Sequence, residues 1–283
     1  MAVDNSFLVR KILAKTSLIC PYCVSTNMPL VNCDEETGND QVWIFEKEQQ
    51  LQEFAKSWTE KKMPLKGTVY KKNMFPALFA LLYSIDVNEA VYVDQSGNET
   101  HLELSELSPK PDFSRLPQAQ QPLLNPSLQL TGLYFMQEAS RPVPDDEKVD
   151  YRDREEEFAA NLLRGRYLVP FVPGEGEGTL QDKIKAGNLR LPLIKTKTED
   201  TFLPVMSDSY EFQKFAQKKP MTARVVTFEE LGKMLPKEAK GAMLNPSGFH
   251  AVLTAQLING LVQQASAPDI DLGEDDGEEE DEE

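Results

Sequence analysis

Two long segments of the sequence repeat one another. Residues 191–217, LPLIKTKTEDTFLPVMSDSYEFQKFAQ, match residues 28–56, MPLVNCDEETGNDQVWIFEKEQQLQEFAK. Each copy then continues to a Ser-Gly pair, which begins at Ser96 in the first copy and at Ser247 in the second. A period this long is typical of repeated domains and not of a solenoid of short units. We therefore predict two similar domains in tandem.

The spacing of apolar residues predicts the same order of elements in both halves. Each half opens with a helix, over residues 5–15 and 157–164, and continues with an apolar strand, over residues 17–24 and 166–173. A hairpin, a helix, a strand, a second helix and a last strand follow in each copy. Strands alternating with helices favour right-handed crossovers and parallel pairing, and the hairpins add antiparallel strands. The predicted fold class is α/β (α+β), with two similar modules, each a mixed, partly parallel sheet flanked by helices.

Shifts in composition divide the chain into four parts. Residues 105–144 contain seven prolines, which disfavour regular structure. Within them, residues 128–139, LQLTGLYFMQEA, are apolar enough to pack on a domain as a strand, and residues 249–264 are predicted to form a long terminal helix. The predicted parts are a divergent first module (1–104), a proline-rich linker with one packed segment (105–150), a second module (151–265) and a disordered acidic tail (266–283).

Charge and hydropathy exclude several classes of protein. The chain of 283 residues has a net charge of −16, and residues 269–283 contribute 11 acids and no base, so the rest carries −5 of that total. No apolar run approaches the roughly 20 residues that span a bilayer, and the first 20 residues lack the uninterrupted apolar core of a secretion signal. Three cysteines do not form a disulfide framework. We predict a cytoplasmic protein with a protein partner, no nucleic-acid partner and no membrane contact, and the oligomeric state is left open.

A CPYC motif at residues 20–23 has the same residues as the active site of glutaredoxins, in which the first thiol attacks disulfides. That chemistry requires a helix after the motif, whereas the next residues, VSTNMPLV, favour extended structure. In the repeat, Cys20 and Cys23 fall opposite Val169 and Val172, where small buried side chains are expected. We predict two buried thiols, and a thiol-redox protein that uses Cys20 and Cys23 remains the alternative function.

Other residue types that carry chemistry are scarce. Cys20, Cys23, Cys33 and His101 are of the types that bind zinc, but a structural site usually pairs two closely spaced couples of ligands and the second couple is missing. The chain has no P-loop, G-x-S-x-G or H-E-x-x-H motif. We predict no metal and no cofactor. A binding protein is favoured over an enzyme, and an unrecognised hydrolase stays open.

A candidate ligand site lies at Asn245, Ser247 and Gly248, just before the predicted terminal helix. The first-turn N–H groups of a helix attract anions, and a glycine lets a ligand approach the backbone closely. The alternative is that Asn245 or Ser247 only caps that helix. Asp94, at the matching place in the first module, would repel an anion, so binding is expected in the second module alone.

Several short patterns resemble the SseB family, named for enhanced serine sensitivity. They are a strand ending in proline (RYLVPFVP), an LPL-type strand (LPLI), a strand opening into an EF-x-x-F helix (EFQKF), a late FEEL helix and a hydrophobic LNP-x-G. Residues 155–262 carry the resemblance, and residues 7–97 resemble a second, more divergent copy. The family implies an α/β domain and supplies no catalytic residues. The expected function is that of a non-enzymatic protein-interaction or regulatory protein of the SseB type.

Overall fold

A computed structural model of the chain describes residues 5–217 and 219–266, and the acidic residues 269–283 lie outside these ranges. The described residues form an α/β protein whose mixed sheets are flanked by helices, which confirms the predicted fold class. None of its helices is both long enough and apolar enough to cross a bilayer.

The first half is built on one sheet that has helices on both faces. Its elements in chain order are α1 (Ser6–Leu13), β1 (Ser17–Cys23), β2 (Met28–Pro29), β3 (Asn32–Cys33), β4 (Asp40–Phe45), α2 (Glu48–Glu60), β5 (Leu65–Lys71), α3 (Phe75–Ser84), β6 (Glu89–Val93), β7 (Glu99–Glu103) and α4 (Leu104–Leu107). Strand β1 pairs along its whole length with β5, antiparallel, and with β2 and β4 on its other edge. Strands β4 and β6 are parallel, and β6 and β7 are antiparallel.

A helix, α5 (Pro126–Ala139), leads into the second half. The elements that follow are α6 (Tyr151–Arg164), β8 (Arg166–Pro173), α7 (Leu180–Lys185), β9 (Leu189–Arg190), β10 (Ile194–Lys195), β11 (Thr201–Val205), α8 (Ser209–Ala216), β12 (Thr222–Thr227), α9 (Phe228–Met234), β13 (Gly241–Leu244), β14 (Ala251–Thr254) and α10 (Ala255–Ser266). Strand β8 pairs antiparallel with β12 and β9, β11 is parallel to β13, and β13 is antiparallel to β14.

The two halves use the same strand pairings. The full-length pair β1–β5 corresponds to β8–β12, and the parallel pair β4–β6 corresponds to β11–β13. The contact between Ile19 and Phe45 corresponds to the bridge between Leu168 and Met206. This register places Cys20 at the position of Val169. Helix α7 has no counterpart among the first-half elements.

Local capping signals in the sequence start two of these helices. Thr227 Oγ1 accepts a hydrogen bond from the Glu230 N–H at 3.2 Å, and the Glu230 carboxylate accepts one from the Thr227 N–H at 2.9 Å, so α9 begins with a capping box. The Asp208 carboxylate caps α8 by accepting from the Tyr210 and Glu211 N–H groups at 2.8 and 2.9 Å. Threonine and aspartate are both among the residue types favoured at a helix N-cap.

Two predicted elements are wrong. Residues 128–139 belong to the helix α5 and not to a strand, because Pro126 follows Asn125 at the first turn, where proline favours a helix start. The predicted terminal helix begins only at Ala255, because residues 251–254 alternate between buried and exposed side chains and pair with β13 as a strand.

Helix α5 lies in an apolar core that both halves share. Leu133 on this helix is fully buried, in one continuous cluster with Leu78 of α3 and Leu162 of α6. Gly132 allows close packing at this point, since a Cβ there would lie only 2.9 Å from the ring of Phe249. The segment that joins the two halves is therefore part of the hydrophobic core.

Candidate functional site

A cleft of about 680 Å³ lies between the β3–β4 turn of the first half and the helices α5 and α6. A neighbouring hollow of about 450 Å³ continues it along α5 towards α2. The two share four lining residues: Cys33, Tyr134, Asp150 and Arg154. We refer to the cleft and the hollow together as the α5 groove.

Tyr134 lies where the two parts of the groove meet, and α5 directs it towards the first half. Its hydroxyl donates to Asp40 Oδ1 over 2.6 Å. Burial and this carboxylate raise the pKa of Tyr134, so the phenol keeps its proton. Burial also raises the pKa of Asp40, against the effect of the Tyr134 hydrogen bond, and the nearby Asp86 and Glu157 add to the rise. The pair forms a fixed polar contact between two halves of the chain.

Arg154 forms the α6 wall of the groove. Its guanidinium carbon lies 5.2 Å from the centre of the Tyr134 ring, within the range of a cation–π contact. Its nitrogen lies 3.8 Å from the Asp150 carboxylate one turn earlier. The arginine is thus held over the aromatic ring, with its charge near the shared part of the groove.

The rest of α5 is fastened to the first sheet through backbone groups. The Gln137 side chain accepts from the Val31 N–H at 3.0 Å and donates to the Val31 carbonyl at 2.9 Å, as a neighbouring strand would. Further along, Arg141 donates to the Lys61 carbonyl at 2.8 Å and pairs with Glu138 at 2.6 Å. These contacts make the floor of the groove rigid.

The charges along the groove are mixed, with acids in excess. Asp40, Asp153 and Glu157 line the cleft together with Arg154 and Arg164. The described residues contain no group of three His, Cys, Asp or Glu side chains placed to hold a metal ion.

Cys33 is the exposed thiol of the groove. Burial of its sulfur and the carboxylates of Asp40 and Asp34 raise its pKa, with only Arg154 acting in the other direction. A thiol that keeps its proton at neutral pH is a weak nucleophile. The groove therefore offers recognition by charge and hydrogen bonding and no activated nucleophile at this cysteine.

The structure places Cys20 and Cys23 on the middle strand β1, with no helix after them. Both are free and fully buried, in two different apolar clusters, because residues three positions apart in a strand point to opposite faces. Burial raises the pKa of the Cys20 thiol. This arrangement lacks the exposed thiolate and nearby second thiol that disulfide exchange requires.

The four residues considered for zinc are also separated. His101 lies on β7, three strands along from β1 in the sheet order β1-β4-β6-β7. Neighbouring strands are about 4.8 Å apart, so His101 and Cys20 sit on strands about 14 Å apart, too far to share one ion. The His101 ring instead contacts the Glu89 carboxylate at 2.6 Å.

Asn245, Ser247 and Gly248 form the turn between β13 and β14, so the expected helix N-terminus at Phe249 is wrong. The N–H groups of Gly248 and His250 donate to the Asn245 carbonyl at 2.9 and 3.0 Å. Ligand binding at this turn stays a prediction, but the helix N-terminus on which it was based is not at this position.

The Asn245 side chain of this turn faces the protein interior. Asn245 is fully buried, accepts from the Ser207 N–H at 2.8 Å and donates to Ser207 Oγ at 2.9 Å. A Cβ on Gly248 would lie 2.9 Å from Oε2 of the buried Glu211. The turn is therefore packed against the start of α8.

Sequence reasoning missed the groove because it missed α5. The usable signal was the pair Asn125-Pro126, which resembles a helix start, followed by apolar residues at helical spacing. No pattern in the sequence indicates that Tyr134 contacts Asp40. Asp40 lies 94 positions earlier, and the packing of α5 brings the two side chains together.

Comparisons with known proteins bear on the second half of the chain. The family model of the SseB protein N-terminal domain matches residues 148–259, from just before α6 into α10. The chain matches no curated protein. Among solved structures it is similar to Anabaena Tic22, a protein of protein transport, with 9% sequence identity over 86% of this chain and 93% of that one. The TM-score of that superposition is 0.21, too low to support an argument about fold or function.

Proposed function

We propose that the chain is a non-enzymatic interaction protein of the cytoplasm, in which two SseB-type modules hold the α5 groove for a segment of a partner protein. The second module corresponds to the family match at residues 148–259. The first module is the divergent copy in residues 1–104, and the shared strand pairings of the two halves support this assignment.

The continuity of the groove is the observation that carries the proposal. Its two parts share Cys33, Tyr134, Asp150 and Arg154, so they form one open channel along α5. Sites for small molecules are usually enclosed and mostly apolar. An open channel of mixed polarity better fits an extended peptide, whose backbone needs polar partners along its length.

Charge indicates what kind of segment binds. Asp153 and Glu157 lie one turn apart on the exposed side of α6 and line the cleft, and Asp40 faces them from the first half. These acids attract basic side chains, while Arg154 and Arg164 donate to a carboxylate or a backbone carbonyl of the same segment. The proposed ligand is an extended peptide with basic residues that face α6.

Peptide selection tests this proposal. A random peptide library displayed on phage is selected against the full chain, and the bound peptides are then measured against Asp153→Lys with Glu157→Lys. We expect enriched peptides to contain basic residues and to lose at least about tenfold in affinity, equivalent to about 1.4 kcal/mol, on this variant.

The matched control changes Glu155→Lys with Glu156→Lys, which reverses the same charge on exposed positions of the same helix outside the groove. It should change affinity less than about threefold, or about 0.7 kcal/mol. The proposal is overturned if no peptide is enriched, or if both variants weaken binding equally.

A further inference from the structure

An edge strand of the first sheet carries a concentrated positive charge. Residues 61–72, KKMPLKGTVYKK, contain five lysines and no acid, in a chain whose net charge is −16. All five lysines are exposed, and none forms an ion pair with a described residue. This stretch, which we call the lysine edge, comprises the loop that follows α2, the strand β5 and the residue after it.

The outer side of β5 is open. Within residues 5–217 and 219–266, β5 pairs with β1 alone, in seven residue pairs from Ser17–Lys71 to Cys23–Leu65. Val69 in the middle of the strand is 56% exposed, and Met74 just beyond it is 42% exposed. An open strand edge presents unpaired backbone groups that attract an extended segment.

We propose that the acidic segment of this same chain, residues 269–283, binds along the lysine edge. That segment carries 11 acids and no base, so its charge is opposite to that of the edge. Lysines on an edge discourage pairing with a second copy of the same edge, because like charges then face each other. The same lysines favour an acidic occupant, and the chain supplies one at its C-terminal end. The strand β5 itself lies outside the α5 groove, and the loop before it supplies Lys61 and Met63 to the lining of that groove.

The chain beyond α10 gives the acidic segment a long reach. Seventeen residues follow Ser266, and a chain of that length reaches up to about 55–60 Å at about 3.3–3.6 Å per residue. A compact domain of this size has a radius of gyration of about 19 Å and therefore a diameter of about 50 Å. The acidic segment can thus extend over a large part of the surface of its own molecule.

Salt should control the contact, because it depends on exposed charges. The Debye length falls from about 10 Å at 0.1 M salt to about 3 Å at 1 M, which screens lysine–carboxylate attraction at the surface. Binding should be strong at low ionic strength and absent at high ionic strength.

Paramagnetic broadening in the full chain measures the contact directly. Gly277→Cys carries a nitroxide among the acids without removing any of them, and Cys33→Ser removes the exposed thiol while Cys20 and Cys23 stay buried. We expect the backbone amide signals of Lys66–Lys71 to lose intensity when the label is oxidised. The loss should disappear in about 1 M salt, where screening is strong.

Charge reversal separates this proposal from chance proximity. Lys66→Glu with Lys71→Glu should abolish the broadening, whereas Lys197→Glu with Lys237→Glu, two exposed lysines of the second half, should leave it. Unbroadened β5 signals at low salt overturn the proposal. So does equal broadening when spin-labelled chains are mixed with separately isotope-labelled ones, because the contact would then join two molecules.

Discussion

Asn245 adopts a left-handed backbone conformation, with φ of 50°, and its side chain is fully buried. The side-chain amide satisfies both the N–H and the hydroxyl of Ser207. Asn245→Ala should lower the free energy of unfolding by about 2–3 kcal/mol, because a buried N–H is left unpaired and alanine disfavours positive φ. Urea denaturation measures this change.

Ser247→Ala in the same turn is the control. Ser247 is only partly buried, so its loss should change the free energy of unfolding by less than about 0.5 kcal/mol. If Asn245→Ala is as mild as Ser247→Ala, the amide does not hold the turn. That result would favour a role for Asn245 in ligand binding.

Glu211 should make stability depend on pH. Only 2% of it is exposed, and one of its carboxylate oxygens has no hydrogen-bond partner among the described residues. Burial raises its pKa, although Lys214 pairs with it and acts in the opposite direction. A carboxyl with a raised pKa holds its proton more tightly in the folded state. Stability therefore falls as pH rises from the unfolded value of about 4.3 through the folded one.

Glu211→Gln should remove this fall. The free energy of unfolding of Glu211→Gln, relative to that of the wild type, should increase as pH rises between the unfolded and folded pKa of Glu211, and then level off. Urea denaturation at a series of pH values measures this difference. Glu46→Gln is a control of opposite sign: burial would raise the pKa of Glu46, but hydrogen bonds from Lys15 and Tyr92 lower it overall. Wild-type stability relative to Glu46→Gln should fall as pH drops. If the stability of both variants relative to the wild type changes in the same direction with pH, the raised pKa of Glu211 is wrong.

Among the elements, α5 contributes most to joining the two halves. Leu133 at its centre is fully buried in the shared core. Leu133→Ala should lower the free energy of unfolding by about 2–5 kcal/mol through loss of burial and the remaining cavity. Both tryptophans, Trp43 and Trp58, lie in the first half, so their fluorescence reports that half, and hydrogen exchange reports the second.

Both signals should shift together, because both halves pack on α5. Ser140→Ala, at the exposed end of the same helix, should shift neither by more than about 0.5 kcal/mol. A shift confined to one half would show that α5 belongs to that half alone.

The elements also show what the sequence could and could not predict. The caps at Thr227 and Asp208 depend on residues within three positions, so residue types alone can indicate them. Strand β14 was predicted as helix because its apolar residues also fit helical spacing, and only pairing with β13 decides between the two. Helix α5 was not predicted, because the prolines around it disfavour regular structure. The groove was missed with it, because its contacts join residues far apart in the sequence.

At the scale of the whole molecule, the sequence pattern predicts the strand pairings within each half but not how the halves meet. The pairings within each half follow from patterns of about a hundred residues, and they recur in both halves. Much of the contact between the halves is made by α5, and Lys214 of the second half also contacts Met28 of the first, with 3.4 Å between Nζ and Sδ. Gln137 of α5 bonds to both backbone groups of Val31, as a neighbouring strand would. No periodic pattern in the sequence indicates this contact.

Limited proteolysis tests how the halves are joined. From the prolines alone, cutting is expected throughout residues 105–144, with two resistant fragments. The structure narrows this expectation, because α5 is buried from Leu128 to Glu138, whereas Arg115 lies in an exposed stretch without a helix or strand. Trypsin should cut first at Arg115, and Arg115→Ala should delay that cut.

The nicked chain should remain one particle. After cleavage at Arg115, α5 stays with the second half but keeps its contacts with the first, through Tyr134 to Asp40 and Gln137 to Val31, and through the shared core. Gel filtration under native conditions should give a single peak of unchanged volume, and mass spectrometry of that peak should show both fragments. If the fragments elute separately, α5 does not join the halves. In that case the groove, whose walls come from both sides of the cut, is not a stable site.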